Sequence, residues 1–212
     1  AGREIPYSVI TAADLDAGAL RNVQGLARSP APIHADGTSE PLWLTQWAQR
    51  DLGVSPGMPV EIDYYLWQQE GKLETRTARF RFADVLPESA GIDASLAPQI
   101  PGVTDAASIN ARDPPFPLDM KRIRPKDEAY WRRYKATPKA VIPLAAGQQL
   151  WQSRFGKLTA LRVAVPEGKD PLSVQSQFAR VLLTRLNPQS AGFSIAAVRS
   201  GGLTASRGST DF

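Results

Sequence analysis

The chain has no cysteine, a single histidine and two methionines among its 212 residues. Without cysteine there is no disulfide, no thiolate-bound zinc, no iron–sulfur cluster and no thiol nucleophile. The same absence leaves the redox compartment open. The histidine, His34, lies in a loop that contains proline, and no second His or Cys exists to complete a metal site. It is read as a solvent-exposed loop residue rather than a general base or a ligand. No apolar run reaches the ~18 residues that a bilayer-spanning helix needs. No signal-peptide pattern opens the chain. It starts at Ala1 without a methionine, so the expectation is a processed or excised form.

Nucleotide and hydrolase motifs are also missing. Gly156-Lys157 looks like the end of a phosphate-binding loop. However, Trp151 stands where that loop needs its upstream glycine, and Leu158 replaces the Ser or Thr. Gly201-Gly202 has no helix after it. No Gly-x-Ser-x-Gly elbow is present. Asp127 and Glu128 are adjacent, so on a helix they diverge by about 100° and do not converge on one point. Asp113 and Asp119 could join them only through folding. No catalytic, cofactor-binding or metal-binding residues are therefore expected. An extracytoplasmic carbohydrate-active or other hydrolase built on these carboxylates is the alternative.

What is present is ordinary for a globular chain: 42% hydrophobic and 22% charged residues. Twenty-five Lys and Arg against 21 Asp and Glu leave a net charge of +4. This weakly basic balance suits contact with anionic surfaces but does not identify a nucleic-acid binder.

The pattern predicts an α+β fold in two subdomains. Residues 1–86 form a β-rich part. Ile5 to Ala12 reads as a strand, and residues 14–40 read mostly as loop. A helix is predicted from Pro41 through Leu44, Trp47, Ala48 and Leu52 to a stop at Gly53. A hairpin follows, with Val60, Ile62, Tyr64 and Leu66 alternating against polar neighbours. It turns at Glu70-Gly71-Lys72 and returns over Thr75 to Val85. Residues 87–125 are proline-rich and aperiodic, and either wrap the domain or link two parts.

Residues 126–212 are predicted as a βαβαβ part with helices packed on one face of a sheet. Asp127 to Lys135 reads as a short helix. Lys139 to Leu144 is a strand, Ala145 to Arg154 a helix, and Leu158 to Val165 a strand. A long helix opens at Asp170-Pro171 and closes at Asn187-Pro188, with Val174, Phe178, Val181, Leu182 and Leu186 on one face. Phe193 to Val198 is the last strand.

The densest basic and aromatic cluster comprises Lys121, Arg122, Arg124, Lys126, Tyr130, Trp131, Arg132, Arg133 and Tyr134. It is a candidate interaction patch for anionic lipid headgroups, nucleic acid or a partner surface. The competing reading is structural: aromatics packed inward and charges paired with Asp127 and Glu128. Trp151 and Phe155, four apart on a helix, are read as core.

The strings Asp113 to Asp119, Arg122 to Ala140, and Gly147-Gln148-Gln149-Leu150-Trp151-Gln152-Ser153-Arg154-Phe155-Gly156-Lys157-Leu158-Thr159 carry a resemblance. They resemble the extracytoplasmic (periplasmic core) domain of bacterial FtsX-like ABC transporter permeases, the class that includes MacB-type exporters. Leu42 to Gly53 resembles the helix before a turn in that class, with Met58 where the class usually has Asp. Residues 40–165 are covered well and the remainder loosely. The tail Ala205 to Phe212 resembles the stretch that enters the next membrane helix.

The resemblance implies a non-catalytic module on the extracytoplasmic face of the bacterial inner membrane. It would bind a substrate or partner and transmit conformational change. A separate cytoplasmic ATP-binding subunit or domain would drive it through membrane helices. An extracytoplasmic partner protein or a lipid surface is the implied contact, with no cofactor and no nucleic acid. An anionic lipid- or nucleic-acid-binding domain using residues 121–135 is the remaining alternative.

Overall fold

A computed structural model of the chain describes residues 2–14, 40–68, 70–86, 92–114, 116–152, 156–161, 163, 165–191, 193, 197–199 and 202. His34 and the expected loop over 15–39 lie outside these residues, as do the 205–212 tail, Gly201 and Phe155. The chain forms two compact units, Ala1–Val163 and Ala164–Phe212.

The first unit is built on a mixed five-stranded sheet. Its strands are β1 (Ile10–Ala13), β2 (Glu40–Leu44), β3 (Pro59–Trp67), β4 (Leu73–Val85) and β5 (Ala140–Pro143). Their order across the sheet is β1-β5-β2-β4-β3. β1 runs parallel to β5, β2 runs parallel to β4, and the β2–β5 and β3–β4 pairs are antiparallel. The fold class is thus α+β, as the pattern predicts.

Alternation explains the hairpin. Outward positions of β3 and β4 carry polar pairs, such as Glu61 with Arg79 at 2.9 Å and the Thr77 hydroxyl on Asp63 at 2.6 Å. Inward positions carry Ile62, Phe80 and Phe82, all buried. The central strands differ because both of their faces are covered. Leu42, Leu44, Ala140 and Ile142 point into one cluster, and Trp43 and Val141 into a second on the opposite side. Burial on both faces removes alternation and leaves the continuous apolar runs Leu42-Trp43-Leu44 and Ala140-Val141-Ile142.

Helices α1 (Gln46–Leu52) and α3 (Leu144–Trp151) cover the first face with Trp47, Ala48, Ala146, Leu150 and Trp151. The predicted helix start at Pro41 is corrected: residues 40–44 are strand, and Thr45 caps α1 by accepting a hydrogen bond from the Ala48 N–H. Gly53 ends α1 with φ 66°, as its position suggests. The first strand is also shorter than expected, because the chain turns at Pro6-Tyr7 before Ile10 pairs with Ala140.

The split into a 1–86 part and a 126–212 part does not match this sheet. β5 lies between β1 and β2, so strands from both sides of residues 87–125 share one core. The proline-rich segment wraps instead of linking. Ala97 and Ile109 pack with Trp131 and Ala136 as a third cluster. Helix α2 spans Pro125–Tyr134. The Thr11 hydroxyl donates to the Leu96 carbonyl at 3.3 Å, and Tyr65 stacks against Phe116 with ring centroids 5.1 Å apart.

The expected strand at 158–165 is absent from the described residues, and Leu158, Leu161, Val163 and Val165 are exposed. Alternation fixes which face an extended segment would bury, but a strand also needs a neighbouring edge to bond to. In the last expected strand, Phe193 and Ala197 are not in a strand and Val198 is helical, while residues 194–196 lie outside the description.

The second unit contains helix α4 (Pro171–Arg185), capped by the Asp170 carboxylate accepting from the Ser173 N–H at 2.8 Å. A 3-10 turn follows at Pro188–Ala191. The predicted apolar face of α4 is present, but Phe178, Val181, Leu182 and Leu186 are exposed.

The close packing of α3 on β1 yields a test. A Cβ added at Gly147 would lie 2.1 Å from the Ala12 Cβ, and neither atom sits on a flexible side-chain end. Gly147→Ala should destabilise the protein by about 2 kcal/mol, overpacking outweighing the ~1 kcal/mol of helix propensity that alanine brings. Urea denaturation of the two proteins measures the difference.

Candidate functional site

Charge and aromatic side chains concentrate where α2 meets α1 and the start of β5. Pro125 opens α2, and Asp127 lies three residues past the N-cap Arg124. The Asp127 carboxylate accepts from the Arg124 backbone N–H at 2.9 Å and from its guanidinium Nε and Nη2, both at 2.7 Å. The same guanidinium reaches Asp51 of α1 at 2.7 Å, and Lys126 also pairs with Asp51. Asp127 is 1% exposed, so its charge is held almost entirely by protein groups.

Burial acts to raise the Asp127 pKa. The hydrogen bonds from Arg124 outweigh it and hold the carboxyl below the usual aspartate value. The Arg124 guanidinium is stabilised in its charged form, first by the bond to Asp127 and then by Asp51.

Beside this network is Lys139, in the short link between α2 and β5. Its backbone is fixed on both sides: its N–H donates to the Val9 carbonyl and its carbonyl accepts from the Thr45 N–H, each at 2.9 Å. Its ammonium lies 4.6 Å from the Trp47 ring and 4.7 Å from the Tyr130 ring, which are themselves 4.8 Å apart. The negative ring faces partly replace the water that the ammonium loses. Lys139 is 7% exposed. Burial pushes its pKa down to about 8, Asp127 opposes that, and the charge of Arg112 adds to it. Burial likewise lifts the Tyr130 hydroxyl to about 12.

Arg112, from the wrapping segment, lies flat on Trp131 with its guanidinium carbon 3.7 Å from the ring centroid. Burial lowers its pKa to about 10, with the Glu128 charge opposing. Its Nε is buried without a hydrogen-bond partner among the described residues. Trp131 itself donates from Nε1 to the Ala106 carbonyl at 2.9 Å. A cavity of about 10 Å³ opens here, lined among others by Tyr7, Arg112, Asp127, Lys135, Thr137 and Lys139.

The candidate patch is therefore divided. Arg122 pairs with Glu4 at 2.9 Å, Arg124 and Lys126 pair with Asp51, and Tyr130 and Trp131 are core residues. Lys121, Arg132, Arg133 and Tyr134 are exposed. Of the four carboxylates weighed as an acid–base set, Asp119 caps a 3-10 turn through the Lys121 N–H, and Glu128 accepts from the Ile109 and Asn110 N–H groups. Asp127 is bonded to Arg124, and Asp113 is exposed. No hydrogen bond joins any two of them among the described residues. The described residues hold no group of three or more His, Cys, Asp or Glu placed for a metal ion.

Lys139 and Arg112 are the residues that sequence reasoning missed. The signal for Lys139 was a lone cation at the head of the apolar run Ala140-Val141-Ile142. Arg112 had none, since its partners come from a helix beyond the proline-rich stretch.

No family model matches the chain, and no curated protein or solved structure matches it.

Two outcomes test this site. Arg124→Met should cost about 3 kcal/mol, because it leaves Asp127 buried with no cation bonded to it; urea unfolding measures it. Lys139 binds its proton less tightly folded than unfolded. Between about pH 8 and the ordinary lysine value the unfolded chain carries more protons, so stability rises with pH across that window. Tyr130, raised to about 12, works the other way above its ordinary value of 10. The stability of the wild type relative to Lys139→Met should therefore climb by up to about 3 kcal/mol from pH 7.5 to 10. Denaturation curves at each pH measure it.

Proposed function

We propose that this chain is the extracytoplasmic domain of an FtsX-like ABC permease, a non-catalytic module that binds a partner or substrate and passes on conformational change. One observation carries this reading. The strings that resemble the permease class, Arg122 to Ala140 and Gly147 onward, are the ones the fold uses to join its parts rigidly. Arg124 ties α2 to α1, Lys139 packs against the touching rings of Trp47 and Tyr130, and Gly147 lets α3 lie directly on β1. Cross-ties of this kind suit a unit that relays a displacement, since coupling runs through packed side chains and ion-pair networks. Asp119, Asp127 and Glu128 are bonded to backbone or to Arg124, which leaves little for acid–base chemistry and weighs against the hydrolase alternative.

In this reading the ATPase is a separate cytoplasmic subunit or domain. The domain lies on the periplasmic side of the inner membrane, and Lys121, Arg132, Arg133 and Tyr134 form the part of the basic patch open to a partner or to lipid headgroups. No helix among the described residues is long and apolar enough to cross a membrane. The proposed membrane helices belong to flanking sequence.

The test is made on the natural gene product in its host. It should sediment with the inner membrane, and an antibody to this domain should lose its epitope when intact spheroplasts are treated with protease. Recovery of the full product in the soluble fraction, or protection from external protease, overturns the proposal.

A further inference from the structure

We propose that the cavity between α2 and the start of β5 binds a small monovalent anion, the size of a halide ion or a single carboxylate group. The charge balance of its lining points that way. Three cationic residues, Arg112, Lys135 and Lys139, and one carboxylate, Asp127, are among those that line it. That carboxylate is already taken by three hydrogen bonds from Arg124. Lys139 is 7% exposed, and among the described residues its ammonium has no hydrogen bond and no ion pair. The Nε–H of Arg112 is buried and unpartnered in the same lining. A buried donor without a partner is costly, and an anion in this lining would give the Arg112 donor a partner and the Lys139 ammonium a counter-charge.

Size limits the class of ligand. At about 10 Å³ the cavity has room for about one water molecule, so only the smallest anions can take its place. A phosphate ester or a nucleotide is too large.

The backbone is bent to build this place. Among the described residues only Tyr7 and Lys135 are non-glycine residues with positive φ, at 48° and 53°, and both line the cavity. Such conformations cost on the order of 1–3 kcal/mol and persist where the surroundings over-determine them. The inference does not depend on the permease reading.

The experiment titrates chloride and sodium formate into the whole chain at fixed ionic strength, with methanesulfonate, a bulkier monovalent anion, as the balance. The thermal midpoint should rise saturably with either anion. In Lys139→Met and Arg112→Gln the apparent affinity should fall about tenfold or more, the loss expected for one charged hydrogen bond. Phosphate should give no saturable rise. A second measurement needs no variant: crystals grown in bromide should show an anomalous peak in the cavity, within contact distance of the Lys139 ammonium and Arg112 Nε. A midpoint indifferent to chloride and formate, an equal response to phosphate, or a cavity that holds only water in the bromide crystal overturns the proposal.

Discussion

The guanidinium of Arg124 sits between two nearly buried carboxylates, Asp127 of its own helix and Asp51 of α1. Much of the first unit is arranged around that contact. Asp127 falls in the first turn of α2, which begins at Pro125, and Arg124 reaches α1 from the cap position just before that helix. With the start of α2 pinned there, Tyr130 and Trp131 fall on its inward side one turn later. Tyr130 and Trp47, in contact with each other, together pack against the Lys139 ammonium. Trp131 gathers the wrapping segment through Ala106 and Arg112. Buried ion pairs are not in general a net source of stability. Here the pair fixes geometry: it sets the position of α2 and of the groups that α2 carries.

The basic segment shows how a cluster in sequence is redistributed in space. Nine residues that look alike as a string end in three roles. Arg122, Arg124 and Lys126 neutralise acids on other elements, Tyr130 and Trp131 fill the core, and Lys121, Arg132, Arg133 and Tyr134 remain on the surface. The cations that end up short of a counter-charge are different ones. Arg112 belongs to the proline-rich stretch, and Lys139 precedes a strand. Unmet charge inside a protein marks a place of interest more reliably than charge density along the chain.

Local pattern was a good guide wherever local contacts decide the outcome. The β3–β4 hairpin, α2, α4 and the stop at Gly53 were legible, since alternation, helical spacing and caps are written in neighbouring residues. The start of α1 was misread because Pro41, Leu44, Trp47 and Ala48 also fit a helical face. The deciding signal was Thr45, whose hydroxyl caps the Ala48 N–H, with a buried strand Leu42-Trp43-Leu44 ahead of it. The division into two sequential halves failed for a non-local reason. Nothing near Ala140 says that β5 inserts between strands from residues 10–13 and 40–44. The site was partly legible: Arg124 with Asp127, three apart, could be anticipated, whereas the Lys139 clamp joins three distant segments.

The position of β5 also constrains when the protein can take shape. As the chain leaves the ribosome, β1 emerges before the other four strands and waits for residues 140–143, because β5 is its only partner in the sheet among the described residues. β2 gains β4 earlier, yet its other edge stays bare for the same interval. Throughout that interval the nascent polypeptide carries unpaired strand edges, which invite mispairing. A chain with this topology benefits from being kept unfolded, by a chaperone or by threading through a translocation pore, until its late strand arrives.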